Sequence, residues 1–291
     1  MNYHFPVLLK ETISCLSVVP GGIYIDATLG HGGHTIEILR QKGTVYGFDQ
    51  DPKNIEIATQ RIKSENLDKY FIPINQNFIR IKSFLKKQKL DKIDGLIADL
   101  GLSLNQQTGQ DRGFSFNDQT SLDMRLNPLK QTLTAEEIIN TYSFDDLYQI
   151  FTKIGQELYS KPIILQIIRE RQKSPIKTGK RLATIIREYC KSKHLQSKID
   201  PSTKIFLSLR ITVNQEYPNL LKLLSKSLDI IKPGGNVCII SFHSGEDRIV
   251  KQFIQKNNSK IISQKLIKPS FVEIKKNPLS RSAILRTYKI I

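Results

Sequence analysis

The sequence predicts an α/β protein: a parallel, doubly wound sheet into which an all-helical block is inserted. Three observations lead there. From Gly22 to Asp99 short β-rich apolar runs alternate with helical periods. Beyond Gly101 the pattern becomes helical only, and after Pro233 the strand signals return in GGNVCIISF, KIISQKLI and SAILRTYKII.

Taken in order, IYIDA is the first strand, followed by a helix from about Thr35 to Gln41. TVYGFD is the second strand, and a helix runs from Pro52 to Ser64, with Asp51 as its cap and Pro52 in its first turn. FIPI and KIDGLIADL supply the third and fourth strands. In the helical block, TAEE and SFDD place Thr134 and Ser143 three residues before an acidic side chain, the spacing of a capping box. KPIILQIIRERQK, with Pro162 in its first turn, and GKRLATIIREYCK read as further helices. The stretch Thr203 to Ile231 is helical again, with Pro218 starting a new helix or bending the old one. A sheet interrupted and then resumed implies a discontinuous domain, 1–107 with 206–291, and an inserted helical substrate-recognition domain at 108–205.

The chain of 291 residues is 39% hydrophobic, enough for real cores. Forty-four Lys plus Arg against 27 Asp plus Glu leave a formal charge of +17, which favours a polyanionic partner such as nucleic acid. No apolar run approaches the ~20 residues of a membrane span, and Lys10 and Glu11 interrupt the start where a signal peptide needs an apolar stretch. A cytoplasmic location is expected. Cys15, Cys190 and Cys238 form no CxxC pair, and His31 and His34 lack a third ligand at suitable spacing, so neither a disulfide framework nor a metal site is expected.

The strongest local motif is YIDATLGHGGHT, Tyr24 to Thr35, a strand running through a Gly-rich turn into a helix. Gly30, Gly32 and Gly33 let the backbone approach a ligand, and the helix N-terminus offers N–H groups. The next strand ends in Asp49, where a doubly wound fold places an acid to accept from ribose hydroxyls. Dinucleotide and S-adenosylmethionine sites share this geometry. The turn lacks the G-x-G-x-x-G of dinucleotide binders and has no Lys or Arg for a pyrophosphate. A sulfonium cofactor instead wants acids and carbonyls nearby, and Asp26 and Asp99 at neighbouring strand ends supply them. Phe78 stands where an adenine would be covered, or is an ordinary core residue.

HFPVLLKE, DATLGHGGHT, FDQDP, DGLIADLGLS, DRGFSF, LDMR, LRITVNQE, KPGG, ISFHSGEDRIVK and NPLSRSAILR run in order from His4 to Arg286. Together they resemble the bacterial small-subunit rRNA cytosine-N4 methyltransferases, over nearly the whole chain. The resemblance implies a Rossmann-like methyltransferase sheet, S-adenosylmethionine as cofactor, and a cytosine in the decoding region of 16S rRNA as substrate, within the small ribosomal subunit. It places cofactor contacts on Gly32, Gly33, His34, Asp49, Phe78, Asp99 and Gln106; His34 and Gln106 come from the resemblance alone. The oligomeric state stays open, a homodimer included. The chain departs from the family's pattern at Leu104, Asp200, Lys204, Gly245, Leu279 and Ile284, and Gly245 stands where SFHSLEDR has Leu. These departures bear on RNA contact, not on the cofactor set.

The segment DRGFSFNDQTSLDMRLNP, Asp111 to Pro128, leaves the fourth strand, where a loop overhangs a ligand bound at the strand ends. Phe114 and Phe116 suit stacking on an unpaired base, and Arg112 and Arg125 suit its phosphates. The alternative is that both Phe pin the inserted domain and Arg125 pairs locally with Asp123. For catalysis, methyl transfer calls for positioning and electrostatics. Asp99 and the carbonyls of Leu100 to Leu102 are the first candidates to accept from the cytosine amine; Ser241 and His243, after the fifth strand, come second. The competing functions are an enzyme of the same fold acting on another base or on DNA, and an RNA-binding assembly factor without turnover.

Overall fold

A computed structural model describes residues 5–103, 106, 112–195, 199–264 and 266–291. The expected domain boundary at 107/108 and the motif residues His4, Leu104 and Asp111 lie outside the described residues. The chain divides into two compact units, 1–103 with 217–291, and 104–216.

The first unit is built on a seven-stranded sheet of order β3-β2-β1-β4-β5-β7-β6. Its strands are β1 (Ile23–Asp26), β2 (Thr44–Phe48), β3 (Phe71–Ile74), β4 (Ile93–Asp99), β5 (Ile231–Ser241), β6 (Ile261–Ser263) and β7 (Ile284–Ile290). β1 to β5 are parallel, and β7 enters antiparallel between β5 and β6. The chain order reverses beside β1, which makes the carboxyl ends of β1, β2 and β4 the natural ligand crevice.

Both sheet faces are covered, as the near-continuous apolar strands require. Ile25, Leu96, Ala98, Val237 and Ile239 point to one face, against Ile81 and Leu85 of one helix, Leu220, Leu223 and Leu224 of another, and Val250. Their strand neighbours Tyr24, Ile97, Cys238 and Ile240 point to the other, against Ile13, Leu16, Ile36, Leu39, Ala58 and Ile62. The two-residue period of the strand thus sorts a uniformly apolar run into two cores.

The helix Pro52–Ser64 starts where expected, with the Asp51 carboxylate accepting from Lys53 N at 3.1 Å. The helix after the Gly-rich turn spans Gly33–Arg40, two residues earlier than the reading from Thr35, because Gly32 takes a left-handed φ of 75° and turns the chain at once.

The second unit is helical, with helices Ala135–Thr141, Phe144–Gln149, Ser160–Lys173, Gly179–Ser192 and Thr203–Asn214. Thr134 and Ser143 cap the first two, each hydroxyl accepting from an N–H at 3.1 Å. Its core gathers Ile138, Phe151, Ile164, Ile167, Leu182 and Ile186, together with Leu122 and Met124. Ile205, Phe206, Leu209 and Val213 belong to the same core, so the helix Thr203–Asn214 is part of this unit and the expected return to the sheet domain at 206 moves to Tyr217. Gln215, at φ 51°, breaks the chain there, and Pro218 falls in the first turn of a new helix, Glu216–Ile230.

Candidate cofactor and catalytic site

Three carboxylates stand side by side at the ligand edge of the sheet. Asp26 closes β1, Asp49 follows β2 and Asp99 closes β4. Asp26 is buried, 2% exposed. Its Oδ2 accepts from Thr35 Oγ1 at 2.8 Å and its Oδ1 from Thr28 N at 3.2 Å, which fastens both the strand end and the following helix to the turn. Burial raises its pKa to about 6.

Asp49 and Asp99 keep part of their surface open. Asp49 Oδ2 accepts from Gly30 N at 2.9 Å and from Asn54 Nδ2 at 3.0 Å, and Oδ1 accepts from Asp51 N at 2.9 Å. Asp99 Oδ1 accepts from Gly101 N at 3.2 Å, and Asp99 N donates to Thr28 Oγ1 at 2.6 Å. Burial is the main force raising both acids to about 7, and for Asp99 the charges of Asp26 and Glu246 add to it. Among the described residues no Lys or Arg pairs with any of the three. Such a cluster is matched by a ligand that brings positive charge and hydroxyl donors.

The turn divides its glycines by task. Gly30, at φ 49°, has open space above it, since an added Cβ would meet only Thr28 O, at 3.9 Å. Gly33 has none, because a Cβ there would come within 2.1 Å of Pro6 Cγ. The expected close approach of a ligand to the turn is therefore best served at Gly30. The Cα faces of Gly32 and Gly33 are covered by Ile62 and Pro6, so any ligand contact at these two positions falls to their backbone groups. The His34 side chain is likewise turned inward, 5% exposed, with Nε2 at 3.2 Å from Val7 O. Phe78 opens a short helical turn after β3, half-buried against the sheet core.

Asn54, Asn75, Thr28 and Thr35 complete this framework, and sequence reasoning does not single them out. Asn75 Nδ2 donates to Asp49 O at 3.1 Å and to Gln50 O at 3.0 Å, joining the loop after β3 to the end of β2. The available signal is a run of small amides and hydroxyls just beyond strand ends, where backbone groups need partners.

At the end of β5, Ser241 is 2% exposed, and its hydroxyl donates to Ile284 O on β7 at 3.3 Å. The hydroxyl proton is engaged across the sheet and the side chain is buried, so the expected acceptor role would rest on the remaining hydroxyl lone pairs alone. His243 sits at the start of the helix Ser244–Lys256, its Nε2 3.2 Å from Glu246 Oε1 in a geometry that makes no hydrogen bond. Glu246 is itself fixed, Oε2 accepting from Phe242 N at 2.9 Å.

In the helical unit, Gln106 is 4% exposed. Phe114 and Phe116 pack on the helical core, and Phe116 meets Phe206 edge-on at 4.8 Å. Arg187 lies over the Phe116 ring at 5.5 Å, and Arg112 over Phe114 at 5.5 Å. Arg112 Nη1 also donates to Arg125 O at 3.3 Å. Arg125 grips Asp123 with two bonds, Nε to Oδ1 at 2.8 Å and Nη2 to Oδ2 at 2.6 Å, and donates to Gln131 O at 2.7 Å. The expected base-stacking and phosphate-binding roles of Phe116 and Arg125 are therefore revised: both side chains are already used to build the segment 112–131 onto its own unit.

The sheet order, the acids at three strand ends and the Gly turn are compatible with a methyltransferase, and the MraW methylase family matches residues 1–291. The chain belongs to that family. A ribosomal RNA small subunit methyltransferase H of Endomicrobium trichonymphae is 40% identical, over 98% of this chain and 97% of its own. The protein of the same name from Halothermothrix orenii is 39% identical, over 98% of each chain. A crystal structure of a candidate rRNA methylase from Clostridium thermocellum covers 100% of both chains with a TM-score of 0.50 at 13% identity, a likeness of fold. As a member of the family, the protein is a methyltransferase of Rossmann-like fold that uses S-adenosylmethionine. The site's residues fit that cofactor: open carboxylates for its cationic and hydroxyl groups, and open space above Gly30 for its close approach.

Proposed function

We propose that this protein methylates the N4 amine of a cytosine in the decoding region of 16S rRNA, within the small ribosomal subunit. The curated relatives carry the name ribosomal RNA small subunit methyltransferase H, and the family match runs the full length of the chain. The observation that carries the chemistry is the spare acceptor capacity of Asp99. An ionised carboxylate offers about four lone-pair sites, and one hydrogen bond, from Gly101 N, reaches this side chain among the described residues.

S-adenosylmethionine, when bound, supplies a methyl group made electrophilic by the sulfonium charge. Asp49 accepts from the ribose hydroxyls while Asn54, Gly30 N and Asp51 N hold its carboxylate in place. Asp99 and the carbonyls of Leu100 to Leu102 accept from the N–H groups of the cytosine amine. This draws the lone pair out of conjugation with the ring as the N–C bond forms and the C–S bond breaks. The surplus amine proton passes to water, so no nucleophilic side chain takes part. His243, held beside Glu246, borders the base from the β5 side.

The test is nucleoside analysis by mass spectrometry of small-subunit rRNA after incubation with purified protein and labelled cofactor. N4-methylcytidine at one decoding-region position is the expected product. A methyl group on another base, or on DNA alone, overturns the substrate assignment. Cofactor binding without any methylated nucleoside favours the assembly-factor reading.

A further inference from the structure

We propose that Tyr217 is a positioning residue for His243, seated there because residue 245 is glycine. The proposal rests on the methyl-transfer reading of the site above, and it identifies a residue outside all the cofactor and substrate candidates.

Gly245 lies in the first turn of the helix Ser244–Lys256 with no left-handed φ to explain it. Glycine is a weak helix former, so its presence calls for another cause. An added Cβ would stand 1.9 Å from Tyr217 Oη and 2.7 Å from Tyr217 Cζ. The volume a side chain would take at 245 is thus filled by a phenol from another helix, Glu216–Ile230. The same hypothetical Cβ would lie 3.2 Å from His243 Nδ1, so phenol and imidazole share one small space. Their ring centroids are 5.9 Å apart, with planes tilted by 41°.

On its other side the imidazole faces Glu246, with Nε2 3.2 Å from Oε1 but no hydrogen bond formed. Glu246 therefore does not lock the ring by a directed bond. Tyr217 supplies the steric wall that leaves the ring one orientation at the carboxyl end of β5. That end adjoins β4, whose Asp99 pairs in register with Ile240. The helix Glu216–Ile230 begins immediately after the left-handed Gln215, which places Tyr217 in its first turn at a fixed point.

The test is a double-mutant cycle on the full-length enzyme with Tyr217→Ala, Gly245→Ala and the pair. Turnover at saturating cofactor and rRNA is measured, together with cofactor affinity, melting temperature and the imidazole resonances of His243. Tyr217→Ala should lower kcat by ~10- to 100-fold, the scale of a small misplacement at a reacting centre, with cofactor affinity unchanged. Gly245→Ala should displace the phenol and cost a similar factor, and the pair should cost no more than Tyr217→Ala alone, since both remove the same packing of phenol on imidazole. Both single variants should shift the His243 resonances, and Tyr217→Phe, which keeps the ring, should retain most of the turnover.

A purely structural Gly245 predicts the reverse, a higher melting temperature for Gly245→Ala and an unchanged kcat. Parent-like kcat in Tyr217→Ala, additive losses in the pair, or unmoved His243 resonances each overturn the proposal. If Tyr217→Ala does not fold, Gly245→Ala carries the same readouts. The resonance shift is independent of which nucleoside is methylated, so a wrong substrate assignment and a wrong role for Tyr217 give different results.

Discussion

The carboxylate of Asp49 accepts a hydrogen bond from the backbone N–H of Gly30 at 2.9 Å, tying the end of β2 to the turn that leaves β1. The acid proposed to face the ribose therefore also sets the position of Gly30, the glycine of the turn with open space above it. On that proposal, ligand recognition and turn geometry are joined in a single side chain.

Asp49→Ala should weaken S-adenosylmethionine by about 1.5–3 kcal/mol, the scale of hydrogen bonds to a charged acceptor, and leave the fold intact. Isothermal calorimetry on a variant with a parent-like circular dichroism spectrum checks this. Unchanged affinity would remove Asp49 from the site.

Asp49 and Asp99 titrate near 7 in the folded protein, well above an ordinary carboxylate, because burial disfavours their ionised forms. A raised acid contributes stability that is complete below the unfolded pKa and is lost as pH rises through the folded one, here between about 4 and 7. The cofactor-free protein should lose stability across that window relative to an Asp49→Asn/Asp99→Asn variant. A cationic cofactor favours the ionised acids, so its affinity should climb from pH 6 to 8, by up to about tenfold per pH unit for each proton released. Binding enthalpies that do not depend on buffer ionisation heat at pH 7 would contradict the proton release.

Asp99→Asn keeps the size of the side chain and one acceptor, isolating the charge. If Asp99 chiefly holds the ammonium of the cofactor, binding weakens and turnover at saturation stays normal. If it accepts from the cytosine amine, turnover falls by ~10²-fold, as for other charge-stabilising groups at a reaction centre. The larger loss is expected in turnover, and parent-like kcat would leave Asp99 as a binding residue only.

Within the helical unit, Arg171 donates to Ile139 O, Lys173 and Arg181 pair with Glu170, and Arg187 pairs with Asp200. Arg169, Lys177 and Lys180 are exposed and form no ion pair among the described residues. Replacing these three by Gln should flatten the salt dependence of rRNA binding, by about 0.7 in slope for each single-strand phosphate they no longer neutralise. Arg125→Ala should instead lower the melting temperature, since it strips Asp123 of its partner. A slope that does not move would make the three cations a solvated face.

Much of this is legible in the sequence because the signals are local. The caps at Asp51, Thr134 and Ser143 need only neighbours a few residues away, and the strand acids Asp26, Asp49 and Asp99 follow from where apolar runs stop. Contacts distant in sequence are not legible. Nothing in the Gly-rich motif announces that Pro6 closes over Gly33, or that Val7 receives the His34 ring, because both depend on where the N-terminal segment packs. Ser241 reads as a catalytic candidate from its place at the end of the fifth strand signal, and nothing there announces that β7, much later in the chain, takes the proton of its hydroxyl. The helix Thr203–Asn214 falls with the sheet domain by proximity in sequence, whereas its apolar face matches the helical core.

The insertion between β4 and β5 also sets a timetable. β4 leaves the ribosome with one edge bare, and its partner β5 follows only after the entire stretch from Leu100 to Ile230 has been made. A bare edge invites wrong pairing, while helices with short-range contacts close their own core quickly. Chains halted after Asn214 should therefore resist protease in the helical unit and remain open to cleavage in the sheet, whose protection begins once Ser241 has emerged and is complete only when β7 covers the other edge of β5. Protection of both at the same chain length would contradict that sequence of events.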